Sequence, residues 1–404
     1  MRANRTFSAL YGLHSLIGSQ LRLGALWLIL WSGIAWSGPP EKDLLRGIDL
    51  ILNEQFSTAL AHFDSLIVAY PDHPAGYFYK AMAYWRNYFV EREEPLDEKA
   101  IEDHLERAIR ESKRMLSETR FDKNDPRKVE ALFYLGGAYG YKGLVALDGD
   151  HWIQAARAGV KGWKYLRQVL EEDRYRWDAQ YGLGLYNYMT ARLPGVVRFV
   201  GKILTLPMGD QARGLAELRA AAERGRYSRA VAKSALATFY LRYERRPVEA
   251  RQWLEELTTR YPNSVDFRVL LMDAYFQLSV GYGEDHWAEM LPLSDEIRRM
   301  LTTRSARLSP RWEDRNHFAT GYAAYRVRAY DRADRELREY VARFDDRTGR
   351  WLSLAELTLG KIADLRGQRD EAIAWYRRAK THRNIWAVHH ESDRYLKHPF
   401  GTPP

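Results

Sequence analysis

No cysteine occurs among the 404 residues, which excludes disulfides, thiolate metal sites, a cysteine nucleophile and a lipid-bearing N-terminal cysteine. The common catalytic signatures are missing too. There is no G-x-S-x-G elbow, no G-x4-G-K-[ST] phosphate loop and no H-E-x-x-H helix. Strand-type alternation is absent, and no apolar run reaches the roughly 20 residues that a membrane-spanning helix needs. Lysine is scarce, with 14 Lys against 48 Arg.

What is present makes an ordered chain: 46% hydrophobic residues, 28% charged, 26 Tyr and 13 Trp supply ample core and exceed what disordered segments contain. The formal charge is +9. Residues 1–37 hold Arg2, Arg5 and Arg22 and no acid, so the remainder carries +6 (59 basic minus 53 acidic). Spread over a long mixed surface, this surplus favours acidic partners or anionic lipid only weakly. It makes no nucleic-acid footprint, which would require clustering on one face.

The first 37 residues have the layout of an export signal. Three arginines precede the apolar run Leu23–Ala35, then Ala35-Trp36-Ser37 places small residues at the minus-three and minus-one positions before Gly38-Pro39-Pro40. The expectation is export to the periplasm or cell envelope, with cleavage before Gly38. The leader ahead of the apolar run is long, and the alternative is an uncleaved segment anchored in the inner membrane through residues 23–36.

Beyond Pro40 the periodicity is helical nearly everywhere, as in LTLGKIADL (357–365) and DEAIAWYRRAK (370–380), and breakers such as Arg366-Gly367-Gln368 fold successive helices back on one another. Overlaying the helix pairs exposes a repeat. One unit has Leu359-Gly360, Ala372, Tyr376 and Ala379, and the unit before it has Gly321, Ala333 and Leu337. Another has Ala250, Leu254, Leu257 and Pro262, and the first has Gly47, Ala59, Phe63, Leu66 and Pro71. Leu135-Gly136 with Tyr139, and Leu183-Gly184, mark two partial units. Small residues at the eighth and twentieth positions let two helices approach, and bulky ones fill the space beside them. No pair buries its apolar face alone, so the units stack.

These spacings resemble the tetratricopeptide-repeat (TPR) superfamily, whose pattern is Trp-x2-Leu-Gly-x2-Tyr, then Ala-x3-Phe, then Pro. The resemblance implies an all-α, TPR-like α-solenoid of about seven or eight antiparallel helix pairs over residues 38–381, interrupted by an insertion at 191–209 and followed by a tail at 382–404. The order GGAYGYKGLVALDGDHW, GVKGWKYL, YGLGLYNY, GDQARGLAELRAAAERG also resembles a bacterial TPR group and the eukaryotic tetratricopeptide-repeat 39 family. At the clearest contact, Gly360→Leu is expected to be disruptive and Gly360→Ala close to neutral.

Gly136, Gly137, Gly140 and Gly143 lie on helical spacing without a preceding strand, so they read as close helix contact rather than as a phosphate loop. His389, His390, Glu391, Asp393 and His398 form no i, i+4 ligand pair and read as a solvated tail, with no metal expected. Asp148-Gly149-Asp150 is too short for a calcium loop and reads as a turn. The insertion, with Val196, Val197, Phe199, Val200, Ile203, Leu204 and Leu206 beside Arg198 and Lys202, is read as a helix filling a neighbouring groove or as a basic amphipathic helix touching a membrane.

What remains is the groove. TPR proteins usually hold a partner against helix A at positions two, five, nine, twelve and thirteen of each unit. Carried over by the resemblance, these are Phe78, Trp85, Arg86, Phe133, Tyr141, Tyr181, Tyr188, Arg242, Tyr243, Phe318, Tyr322, Tyr325 and Arg326. Trp, Tyr and Arg dominate protein-binding hot spots. The function expected is a non-enzymatic scaffold holding a protein or peptide, without cofactor, metal or nucleic acid. The alternative is a membrane-associated accessory protein of the cell envelope.

Overall fold

The computed structural model describes residues 38–90, 97–118, 121–122, 124–193, 207–304, 310–344 and 351–401. The export-signal reading of residues 1–37 and the amphipathic-helix reading of residues 194–206 fall outside these. Among the described residues there are 17 α-helices and no strand, and no helix is long and apolar enough to cross a membrane. The helices pair in chain order. α1 (Glu41–Leu52) pairs with α2 (Phe56–Ala69), α3 (Pro74–Val90) with α4 (Glu98–Glu118), and α5 (Pro126–Asp148) with α6 (Trp152–Glu172). α7 (Asp178–Ala191) pairs across the insertion with α8 (Gln211–Arg224), and α9 (Arg229–Phe239), continued by a π turn at Tyr240–Glu244, pairs with α10 (Pro247–Arg260). α11 (Val265–Gly281) pairs with α12 (Trp287–Arg304), α13 (Pro310–Arg326) with α14 (Tyr330–Arg343), and α15 (Leu352–Leu365) with α16 (Arg369–Ala379). The result is a TPR-like α-solenoid of eight pairs, and α17 (Val388–Lys397) covers the last one.

Close approach at the small residues holds each pair together. A methyl at Gly47 would stand 2.3 Å from the Phe63 ring, one at Gly184 2.7 Å from Leu218, and one at Gly321 2.7 Å from Leu337. In the third pair backbone meets backbone: a methyl at Gly162 would lie 2.9 Å from Gly140 N, and one at Gly143 3.2 Å from Gly159 N. Gly136, Gly137 and Gly143 of α5 therefore serve close contact with neighbouring helices, whereas a methyl at Gly140 would meet nothing within 4 Å, and Asp148-Gly149-Asp150 makes the turn after that helix. Facing them, Ala59, Ala250, Ala333 and Ala372 are wholly buried.

At Gly360 the expectation of tolerance needs correction. A methyl there would lie 2.4 Å from the ring of Tyr376, itself wholly enclosed, so even alanine forces the ring to move.

Local chemistry sets where helices begin. Asp125 accepts from Arg127 N at 2.8 Å ahead of Pro126 at the start of α5, and Asp210 accepts from Arg213 N at 2.7 Å to open α8. These side chains satisfy amide groups that a helix N-terminus leaves unpaired.

The solenoid also closes on itself. Glu54, in the turn between α1 and α2, accepts hydrogen bonds from Ser264 Oγ (2.7 Å), Val265 N (2.9 Å) and Asp266 N (3.0 Å). A carboxylate from the first pair thus caps α11 of the sixth. Arg86 of α3 pairs with Asp266 at 2.7 Å, Tyr261 donates to Asp49 at 3.2 Å, and Arg226 pairs with Glu41. One core consequently runs from Leu44 to Ala274, and a second from Met272 to Val388. α11 is shared by both, which is why VDFRVLLMDAYFQLSVG is apolar almost all round instead of amphipathic.

Within the segment read as a solvated tail, Val388–Lys397 is instead a packed helix. Val388 and Ser392 are buried, Tyr395 packs 5.7 Å from Tyr376, Lys361 donates to Glu391 at 2.6 Å, and Phe400 N donates to Asp364 at 2.7 Å. Val388, Ser392 and Tyr395 form a short stripe at helical spacing, which suffices to seal the open face of the final pair.

Candidate functional site

Closure divides the thirteen groove positions into distinct environments. In the closed turn, Phe78 and Phe133 are buried, and Trp85, Arg86, Tyr141 and Tyr181 are half-buried. Phe78 sits edge-to-face on Tyr134 at 5.5 Å and on Tyr141 at 5.7 Å. Arg86 lies 5.3 Å from the centre of the Phe267 ring. Burial works against its charge, but the adjacent carboxylates Asp266 and Glu54 outweigh that and raise its pKa. Burial likewise raises Tyr141 and pushes Tyr181 up to about 12. Arg86 thereby meets the first turn of α11, whereas Phe78, Phe133, Tyr141 and Tyr181 line a cavity beside α5, α6 and α7.

In the middle of the array Tyr188 is buried, stacks on Phe239 at 4.1 Å and donates to Glu244 at 2.6 Å. Tyr243 is 47% exposed beneath Arg192, 4.2 Å from its ring centre. Arg242 is half-buried.

The C-terminal positions come together with residues that the repeat register did not select. Phe318 is buried and stacks on Trp351 at 5.3 Å. Tyr322 and Tyr325 are half-buried beside it, and Arg326 is exposed, 4.8 Å above the Trp287 ring. Trp287 meets Phe276 at 5.8 Å, and Phe276 stacks on Trp386 at 6.3 Å, with Trp351 only 5.0 Å from Trp386. A continuous aromatic wall therefore links Arg326 to Trp386.

Trp386 is 46% exposed. It and Ala387 both sit in the left-handed region, at φ 46° and 57°, a conformation that costs a bulky residue of order 1–3 kcal/mol. On this backbone the indole packs against Phe276 and Trp351 and leaves about half of its surface open. The available signal was a lone tryptophan between two helices in RNIWAVHH, which a reading of the segment as tail passes over.

One group has the spacing of metal ligands. His317, Glu336 and Glu339 place ligand atoms within 4.8 Å of one another. Arg298, however, holds both Glu336 oxygens, at 2.7 and 2.8 Å, and Arg343 Nη1 lies 3.1 Å from His317 Nε2. Burial pushes the Glu336 carboxyl up, but His317 and Arg298 dominate and bring it down to about 2. An arginine already fills the place a cation would take.

No protein-family model matches the chain, and no curated protein does. Among solved structures, the human IFIT1 dimer with PPP-AAAA is similar at 14% identity over 81% of this chain and 69% of its own, with a TM-score of 0.36. Yeast Tom70 is similar at 8% identity over 86% of each chain, with a TM-score of 0.35. The P58(IPK) TPR domain is similar at 15% identity over 90% of this chain and 99% of its own, with a TM-score of 0.27.

Proposed function

We propose that the protein is a non-enzymatic, extracytoplasmic scaffold that receives a protein or peptide segment on its C-terminal aromatic face. The observation that carries this reading is Trp386, 46% exposed on a strained left-handed backbone at one end of a wall that finishes at Arg326. Exposed Trp and Arg anchors over a rigid, desolvated aromatic base are the anatomy of a binding hot spot. The wall is supported from α11, α12, α13 and the loop after α16, so the anchors are preorganised and little order is lost on binding. Against catalysis stand the absent sequence signatures and the arginine clamp on Glu336.

The extracytoplasmic part of the proposal rests on Arg2, Arg5, Arg22, the Leu23–Ala35 run and Ala35-Trp36-Ser37. Mass spectrometry of the protein recovered from fractionated cells is expected to find an N-terminus near Gly38 outside the membrane fraction. A full-length chain in the membrane would favour anchoring through residues 23–36.

Binding is tested by capture from envelope extract with wild type, Trp386→Ala and Arg326→Ala. A specific partner retained by wild type and lost from both variants is expected. Retention by both would refute the assignment of the face.

A further inference from the structure

A cavity of about 540 Å³ runs between α5, α6 and α7, with Met82 and Phe78 of α3 along one side. Its walls span Phe133 to Leu147 on α5, 14 helical steps that at 1.5 Å each make a channel about 21 Å long. Trp152 marks one end and is 60% exposed, with Ile153 beside it at 70%. The other end reaches Tyr79. The volume falls within the range of small-molecule sites, which are mostly apolar with a few placed polar groups.

Two details separate this space from ordinary packing between helices. Gly140 lines the cavity, and a methyl built on it would meet nothing within 4 Å. Mid-helix glycine costs about 1 kcal/mol relative to alanine, so here the missing side chain leaves room. The second detail is polar. Tyr79 is only 2% exposed, and its hydroxyl has no protein partner other than the equally buried hydroxyl of Tyr134. The Arg176 guanidinium nearby lies against the rings of Phe133 and Tyr227, and its Nε has no acceptor. Asp178 also lines this end, but its Oδ1 is engaged by the amides of Arg226, Tyr227 and Ser228 and by the Ser228 hydroxyl.

We propose that the channel binds one free long-chain fatty acid, its hydrocarbon chain along the glycine-lined wall and its carboxyl group at the Tyr79 hydroxyl. An elongated bore suits a linear chain better than a compact ring system. A buried phenol donor beside a guanidinium suits a carboxyl group better than a hydrocarbon end. The site lies apart from the C-terminal face and stands or falls independently of it.

The test is titration of the full-length, delipidated protein with palmitic acid, read by calorimetry and by native mass spectrometry. Wild type is expected to take up one equivalent saturably. Gly140→Leu points a side chain into the open bore, so it is expected to lose at least tenfold in affinity while melting no lower than wild type. Tyr79→Phe keeps the shape and removes the donor. It is expected to weaken palmitic acid about tenfold, the size of one hydrogen bond to a charged group, and to leave methyl palmitate unchanged. Absence of saturable binding to wild type overturns the proposal, as does undiminished binding to Gly140→Leu. A ligand-free Gly140→Leu protein that melts lower would show the space already filled by protein, and would overturn the proposal in the same way. Uptake from phospholipid vesicles but not of free palmitic acid would overturn the assignment to a free acid.

Discussion

Gly360→Ala puts one methyl carbon 2.4 Å from Tyr376 Cε1, 2.6 Å from Cδ1 and 3.0 Å from Cζ. Ordinary contact begins near 3.4 Å, so the ring must withdraw by about 1 Å (3.4 minus 2.4). It has little room to do so. Tyr376 is wholly buried, its hydroxyl donates to Asp364 Oδ2 at 2.8 Å, and Tyr395 packs against its far side. Overpacking of this kind costs about 1–3 kcal/mol, and a strained or broken hydrogen bond adds about 1 kcal/mol. Against these stands the helix propensity recovered, about 1 kcal/mol. The net expectation is a loss of roughly 1–3 kcal/mol for Ala, and more for Leu. Because stacked repeats draw stability from their neighbours, the loss falls on α15, α16 and α17 and leaves α1 to α6 untouched. Amide hydrogen exchange resolved by segment measures both regions in one experiment. If the ring is the obstacle, Tyr376→Leu makes Ala at 360 tolerable, with a coupling of about 1–2 kcal/mol in the double-mutant cycle. Unchanged protection of α15–α17 in Gly360→Ala would refute the reasoning.

Three further outcomes follow from the same geometry. Glu54→Ala leaves Ser264 and the amides of Val265 and Asp266 without their acceptor, and is expected to cost about 2–4 kcal/mol; exchange protection at the start of α11 should fall with it, and an unchanged α11 would contradict closure of the array. Glu336, whose folded pKa of about 2 lies below its unfolded value, contributes stability that is complete above about pH 5 and lost as the pH falls toward 2. Acid titration of stability in wild type and Glu336→Gln should differ by about 1–3 kcal/mol in that window, and superimposable curves would argue against the Arg298 clamp. Gly214→Ala sets a methyl 2.6 Å from Tyr188 N, where rigid backbone and not a side chain must yield; a drop in melting temperature worth about 1–3 kcal/mol is expected, and no drop would disprove that contact.

The repeat was legible because its signal is local. Gly47 and Phe63, or Gly360 and Tyr376, are 16 residues apart, and a fixed offset recurring along the chain is enough to reveal the pairing. Closure left no such trace. Glu54 and Ser264 are separated by 210 residues, and a single glutamate in a turn carries no periodicity that identifies its partner. That one contact also explains why the groove positions diverge. A register treats all units as equally open, whereas α11 holds Arg86 through Asp266 and leaves Arg326 exposed. Trp386 escaped notice for a related reason: its presentation depends on two consecutive left-handed residues, Trp386 and Ala387, and neither residue type announces that conformation. In α17 the Val388, Ser392 and Tyr395 stripe covers too few turns to stand out from a polar segment rich in histidine.

Site-specific photocrosslinking in living cells tests the proposed face most directly. One crosslinker replaces Trp386, and a second replaces Tyr181 inside the closed turn. The same discrete adduct to a partner protein is expected repeatedly from position 386 and not from position 181. Adducts from position 181 with none from 386 would place the partner within the closed turn and contradict the account.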